Sequence, residues 1–332
     1  MKAYRLTPGS PPRMEDVPEP EPDPGEVVVR VAGAGACHSD LHLMDGMAMW
    51  TNPFTLGHEN TGWVEALGPG VDGWQKGDAV AVYGPWGCGR CRRCRNGAEN
   101  YCERSAEIAY AGGGLGRDGG MAPLMLVPAA RYLVPLGDVD PVAAAPLTDA
   151  GLTPYHAVKR SLAILEPGTT AVVIGVGGLG HMAVQILRAL SPARIVAVDV
   201  ARDKLDLARE VGADDGVTPD KVGGPAELIL DFVGSADTMA LAASLARPLS
   251  HVTVVGLAMG TLPFNIINVR WECSVQTTYW GSVTELAEVI ALAREGKVAA
   301  HVERFALHDA PEAYQRMRDG TLRGRAVIVP NG

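Results

Sequence analysis

No stretch of this 332-residue sequence approaches the roughly 18 uninterrupted apolar residues that a membrane-spanning helix needs, so no such span is expected. The opening segment MKAYRLTPGSPPRMEDVPEP turns polar and proline-rich at once, without a signal-peptide core, which leads to the expectation of a cytoplasmic protein. Basic residues are in deficit, 29 Lys and Arg against 38 Asp and Glu. The resulting net charge of −9 disfavours nucleic acid or anionic lipid as partners while leaving a small molecule open. Internal repeats are absent. Cysteine is scarce, six residues in all, and without a secretion signal these point to thiolates and metal rather than to disulfides. What is present is a composition 47% apolar and 20% charged, enough to bury a sizeable core in two domains.

The texture of the chain changes twice. Residues 1–148 hold short β-like runs among prolines and glycines, such as EVVVRVAGAG and GDAVAVYGPWG, and predict an irregular β-rich domain. Residues 149–282 alternate branched-apolar runs (TAVVIG, RIVAVDV, LILDFV, HVTVVGL) with helical patterns such as HMAVQILRAL, the signature of an α/β, doubly wound parallel sheet. Residues 283–332 offer an amphipathic helix, TELAEVIALAREG, and a closing strand, RAVIVP. Only about nine residues separate DDGV from ELILDFV, fewer than a crossover with a full helix uses, so one helix there is expected to be missing or reduced to a turn. The glycine-rich GGGLGRDGG at 112–120 follows no apolar strand and reads as a mobile surface loop rather than a phosphate loop.

The segment AVVIGVGGLGHMAVQILRAL does have the required context. Gly175, Gly177 and Gly180 form G-x-G-x-x-G directly after a strand and before a helix, with Gly178 and Leu179 inside the turn. The first glycine permits the tight turn, the second lets backbone approach a pyrophosphate, and the third lets helix and strand pack closely. Unpaired N–H groups and the helix dipole then favour the diphosphate. Asp199 closes the next strand, 19 residues after Gly180, where a carboxylate accepts hydrogen bonds from the adenosine ribose. That residue favours NAD and repels the 2′-phosphate of NADP, although Arg202 stands three positions on.

Cys88, Cys91, Cys94 and Cys102 form a C-x2-C-x2-C-x7-C array whose thiolates can close a tetrahedron around one zinc, leaving no position open for chemistry. Typical ferredoxin spacings differ, which weighs against an iron–sulfur cluster. The lobe reads as a staple, with Arg90, Arg92, Arg93 and Arg95 either offsetting its charge or forming a solvated face. Cys273 has no ligand-type neighbours and reads as a buried inert thiol. Cys37 lies in ACHSDLH, and His58 and Glu59 follow 21 residues later in LGHEN, a distance over which a loop can return to the same point.

The order of CHSDLH, GHE, the four-cysteine lobe, DAGLTPYHA, GVGGLG and RGRAVIV resembles the zinc-dependent medium-chain alcohol dehydrogenases, across essentially the whole chain. That resemblance implies a GroES-like catalytic domain (1–148, zinc lobe about 86–103), a Rossmann NAD-binding domain (149–282) and a C-terminal return to the catalytic domain (283–332). It also implies two zinc ions per chain, NAD as cofactor, an alcohol or ketone substrate, and a homodimer or homotetramer. Cys37, His58 and Asp149 would hold the catalytic zinc; Asp149 stands where the family often has a second cysteine, as in some secondary-alcohol-type members. Glu59 would support the site or bind transiently, and Asp40 would orient the His58 ring. Ser39 would contact the alcohol oxygen and His42 would relay the proton. His38, Thr153, Leu257 and Arg325 would contact the cofactor, Arg325 at the diphosphate, while Trp50, Tyr279 and Trp280 would line the substrate pocket. A polyol, formaldehyde or other zinc-dependent medium-chain dehydrogenase, a non-zinc reductase on the same scaffold and a non-catalytic NAD-binding protein are the rival readings.

Overall fold

The run VVVRVAGAGA becomes a ten-residue strand, Val27–Ala36, in which only Arg30 is exposed. Its near-continuous apolar character follows from its central place. It pairs antiparallel with Glu59–Leu67, Leu124–Val127 and Arg325–Val329. The sheet continues outward through Ala79–Val82 and Leu133–Pro135 on one side and Val302–Ala306 on the other. The two small residues near its end are a packing requirement. A Cβ on Gly35 would stand 1.8 Å from Glu59 Oε2, and one on Gly33 2.9 Å from Val327. Alternating glycine therefore lets the neighbouring strand bring Glu59 under the turn that carries Cys37.

The computed structural model describes residues 1–47, 49–108 and 112–332, which divide into two units. The first comprises Met1–Leu152 and Gly281–Gly332, the second Thr153–Trp280. These divisions lie a few residues from the expected 148/149 and 282/283. Residues 145–152 stay with the first unit because the short helical turn Ala145–Thr148 is buried and the Ala150 N–H donates to Glu59 Oε1 at 3.0 Å. Asp149 thus belongs to the β-rich unit. The tail enters the same unit through helix Val283–Arg294, whose start is fixed by a capping box between Ser282 and Glu285.

In the second unit six strands lie parallel in the order Asp215–Val217, Arg194–Val198, Thr170–Ile174, Ala226–Asp231, Ala246–Val254, Ser274–Thr277. This order reverses direction at Thr170–Ile174, as in a doubly wound dinucleotide fold. Helices Gly180–Leu190, Arg202–Glu210 and Ala236–Leu245 alternate with the strands. Residues 218–225 contain no helix; turn hydrogen bonds from Lys221 and Val222 to Thr218 replace it, and Val222 packs on the sheet core beside Val217. Among the described residues no helix is long and apolar enough to cross a membrane.

GGGLGRDGG departs from the expected mobile surface loop. Gly112–Gly113 pairs with Gly116–Arg117, and the Gly119 and Gly120 amides donate to the Thr55 and Gly57 carbonyls at 2.8 and 3.0 Å. Cβ atoms on Gly114 or Gly119 would lie 2.4 and 2.2 Å from the Gly57 backbone. Its glycines serve close backbone approach beside the His58 turn.

Candidate metal centre and dinucleotide loop

The strand Val27–Ala36 delivers Cys37, and a short helix, His38–His42, follows at once. Gly57, with φ +92°, turns the chain so that His58 enters at the head of strand Glu59–Leu67. Asp149 approaches from the end of the turn Ala145–Thr148. Cys37, His58 and Asp149 are 4%, 1% and 7% exposed, and one donor atom of each lies within 4.8 Å of the other two. Asp149 Oδ2 stands 3.9 Å from Cys37 Sγ and 3.6 Å from His58 Nε2. Zinc with tetrahedral bonds of about 2.0–2.3 Å separates its ligand atoms by roughly 3.3–3.8 Å, so this thiolate, imidazole and carboxylate set fits that ion and leaves a fourth position open.

The surrounding charges also suit a cation. Asp40 and Glu59 are fully buried, and Asp40 Oδ1 faces His58 Nδ1 at 3.0 Å. With Nδ1–H held by Asp40, Nε2 faces Asp149 and Cys37, where its lone pair becomes available to a metal ion that displaces its proton. Burial alone would lower the His58 pKa, but the Asp40 carboxylate and hydrogen bonds to Asp149, Asp40 and Cys37 outweigh it and push the value well above 6.5. Ser39, half-buried, has its hydroxyl 3.6 Å from Cys37 Sγ, and His42 lies half-buried one helical turn on. His38 is exposed on the same short helix.

Arg325, expected at the diphosphate, is engaged with Glu59 in this structure. Its side chain is only 3% exposed and grips Glu59 from both ends, Nε to Oε2 at 2.9 Å and Nη2 to Oε1 at 2.5 Å, with Asp149 Oδ2 at 3.8 Å from Nη2. The strand Arg325–Val329 lies antiparallel to Val27–Ala36, which brings this guanidinium beside Glu59 and Asp149. Burial tends to raise the Glu59 pKa, and Arg325 opposes it. Glu59 is thereby committed to Arg325 and the Ala150 amide, tying the backbone beside Asp149 to the strand that carries His58. Tyr314, unmarked in the sequence, donates from its hydroxyl to Asp40 Oδ2 at 2.8 Å.

The four lobe cysteines gather into a second cluster, one sulfur of each within 4.8 Å of the others. The Cys91–Cys94 and Cys88–Cys94 sulfurs are 3.4 and 3.9 Å apart, near the roughly 3.8 Å expected around tetrahedral zinc. Backbone amides of Cys91, Cys94 and Cys88 donate to the sulfurs of Cys88, Cys91 and Cys102, as suits thiolates. The Cys91 thiol is lowered to about 6, first by the Cys94 amide. Buried Glu99 braces the lobe, accepting from the Gly87 amide, the Tyr132 hydroxyl and Arg131 at 2.8, 2.9 and 2.8 Å.

In the second unit Gly175 has φ +86°, and a Cβ on Gly180 would stand 2.0 Å from the Gly175 carbonyl. A Cβ on Gly177 would meet nothing within 4 Å, which leaves open space where backbone can approach a diphosphate. Gly178 and Leu179 complete the turn, Leu179 immediately preceding helix Gly180–Leu190. Asp199, half-buried, accepts from the Val176 amide at 2.8 Å and the Ala201 amide at 3.0 Å, which locks it beside the glycine turn. Arg202 is exposed at the start of the following helix. Thr153 is buried in helix Leu152–Lys159, and Leu257 is exposed. Tyr279 is also exposed, whereas Trp280 is buried with φ +52°. Trp50, in the first unit, is half-buried with its ring edge-on to Phe54 at 5.7 Å.

Residues 23–138 match the family model for the alcohol dehydrogenase GroES-like domain, and residues 178–295 match the model for the zinc-binding dehydrogenase. An NAD-dependent alcohol dehydrogenase of Sulfurisphaera tokodaii is 35% identical over 356 aligned positions, covering 99% of this chain and 100% of the relative. Among solved structures, the alcohol dehydrogenase of Aeropyrum pernix has a TM-score of 0.91 at 37% identity, covering 99% of this chain and 100% of that one. The acetophenone reductase of Geotrichum candidum, solved in complex with NAD, has a TM-score of 0.89 at 33% identity, covering 99% and 97%. The chain belongs to the zinc-dependent medium-chain alcohol dehydrogenases, with a GroES-like unit and a Rossmann-type parallel sheet.

Proposed function

We propose that this enzyme oxidises secondary alcohols to ketones reversibly with NAD, using one zinc at Cys37, His58 and Asp149 and a second at Cys88, Cys91, Cys94 and Cys102. The observation that carries this reading is the convergence of three buried donors of different chemistry on one point in a chain of this family. A zinc ion there supplies Lewis acidity, which lowers the pKa of an alcohol hydroxyl toward neutrality, and NAD supplies the hydride acceptor. The chain's own residues do the rest. Ser39 contacts the alcohol oxygen, releasing its own hydroxyl proton as it accepts the alcohol's, and His42 passes a proton to solvent through the cofactor ribose. Asp40 holds His58 in the tautomer that ligates, while Arg325 and Glu59 hold the backbone next to Asp149. Asp199 accepts from the ribose, and its carboxylate opposes a 2′-phosphate. Preference for ketones and secondary alcohols is supported by the likeness to acetophenone reductase.

The same reading includes a cytoplasmic homodimer or homotetramer. Phe264, Ile266, Ile267 and Trp271 stand 71%, 79%, 84% and 70% exposed along the connection into the edge strand Ser274–Thr277, and such a patch is covered most readily by a second copy. An NAD-coupled absorbance screen of small alcohols and ketones tests the activity. Turnover of 2-alkanols exceeding that of primary alcohols supports it; reduction of neither ketones nor aldehydes by fully zinc-loaded enzyme refutes it.

A further inference from the structure

The helix Ala310–Arg318 has no part in the chemistry described so far, yet it reaches the segment that carries Cys37 at two points. The Tyr314 hydroxyl donates to Asp40 Oδ2 at 2.8 Å, and Arg318 clasps both carboxylate oxygens of Asp45 at 2.7 and 3.0 Å. Tyr314 is 4% exposed; its ring stacks on Tyr4 with centroids 6.2 Å apart, and its hydroxyl also lies 3.5 Å from Met121 sulfur. Asp40 is fully buried, and among the described residues no lysine or arginine hydrogen-bonds to it. Its three donors are the Cys37 amide at 3.0 Å and the Tyr314 hydroxyl on Oδ2, and His58 Nδ1 at 3.0 Å on Oδ1.

We propose that Tyr314 is a positioning residue for the metal centre: its hydroxyl fixes the Asp40 carboxylate, and through it the ring orientation and tautomer of His58. A neutral hydroxyl and an amide on Oδ2 immobilise that oxygen, which leaves Oδ1 aimed at the imidazole and accepting from Nδ1–H. Without the hydroxyl, the carboxylate keeps on that side, among the described residues, the Cys37 amide alone and can rotate away from His58. The link also explains why a helix 274 residues from Asp40 returns to this point. The inference rests on the reading of Cys37, His58 and Asp149 as a zinc site.

The test is a chelator titration of zinc-loaded Tyr314→Phe against wild type, with Cys37→Ala identifying which of two zinc classes belongs to this site. Phenylalanine retains the ring that stacks on Tyr4, so packing is kept. Outer-shell partners of ligating histidines contribute about 10–100-fold to metal affinity, and one step further out we expect about tenfold weaker zinc binding at the Cys37 class alone. In an Asp40→Asn background the same substitution is expected to add almost nothing, because the hydroxyl acts only through that carboxylate. A lower melting temperature with unchanged zinc affinity would assign Tyr314 a packing role and overturn the proposal, as would a full tenfold loss in the Asp40→Asn background. Wild type that releases only the four-cysteine zinc overturns the metal reading itself, and this inference with it.

Discussion

Replacing Arg325 by methionine would leave Glu59 as a fully buried carboxylate whose one hydrogen-bond partner among the described residues is the Ala150 amide, beside Asp149. The wild-type pair is bidentate, at 2.5 and 2.9 Å, with side chains 3% and 0% exposed. Removing one member of so buried a pair costs about 3–5 kcal/mol, a factor of roughly 10²–10³·⁵ in the folding equilibrium. The sign of its pH dependence follows from Glu59. Burial already raises that pKa, and deleting Arg325 removes the main influence that lowers it. With its folded pKa raised further above the unfolded one, the carboxyl is held protonated at low pH, and stability is lost as pH rises through the folded value. Denaturant unfolding of zinc-loaded protein should therefore show a deficit that is small near pH 5 and grows toward pH 8. Arg325→Met combined with Glu59→Gln should recover most of it, since no buried charge remains. A loss below about 1 kcal/mol at pH 8, or a deficit that grows on acidification, would refute the buried-pair argument.

Cys94→Ser should lower thermal stability and remove one zinc equivalent while the folded fraction keeps its rate of hydride transfer; a selective loss of that rate at unchanged stability would contradict a closed structural site. Asp199→Gly should narrow the preference for NAD over NADP, read as the ratio of kcat/KM values, and wild type favouring NADP would remove the ribose assignment. In the proposed zinc site protons would compete with metal for His58 Nε2, whose pKa without metal is raised well above 6.5 by Asp40 and its other partners. Chelator-driven loss of metal from this site should therefore accelerate on acidification already above pH 6.5, whereas onset only well below it would contradict that environment.

The parts of the site legible in the sequence are those encoded locally. Gly175, Gly177 and Gly180 answer to one strand–turn–helix unit, and the cysteine array closes within a single lobe. The short connection at 218–225 was legible because a helix needs a minimum number of residues. Asp149 and Asp40 entered through family resemblance, and a carboxylate oxygen of each lies beside a His58 ring nitrogen. Arg325 and Tyr314 were less legible, since their partners Glu59 and Asp40 are 266 and 274 residues away and are fixed by strand register and helix docking. The glycines at 112–120 misled for a related reason. Composition records permissive backbone, but not that the Gly57 backbone occupies the space a side chain would need.

The most direct test of the proposed chemistry is zinc content measured together with alcohol-dependent NAD reduction on the same preparations of wild type and Asp149→Asn. The amide keeps the shape of the side chain and removes its charge. Wild type should carry two zinc ions per chain and turn over; Asp149→Asn should retain the lobe zinc, lose most of the other, and fall in turnover by about two orders of magnitude or more. An Asn variant with both zinc ions and full activity would contradict the assignment of Asp149 as the third ligand.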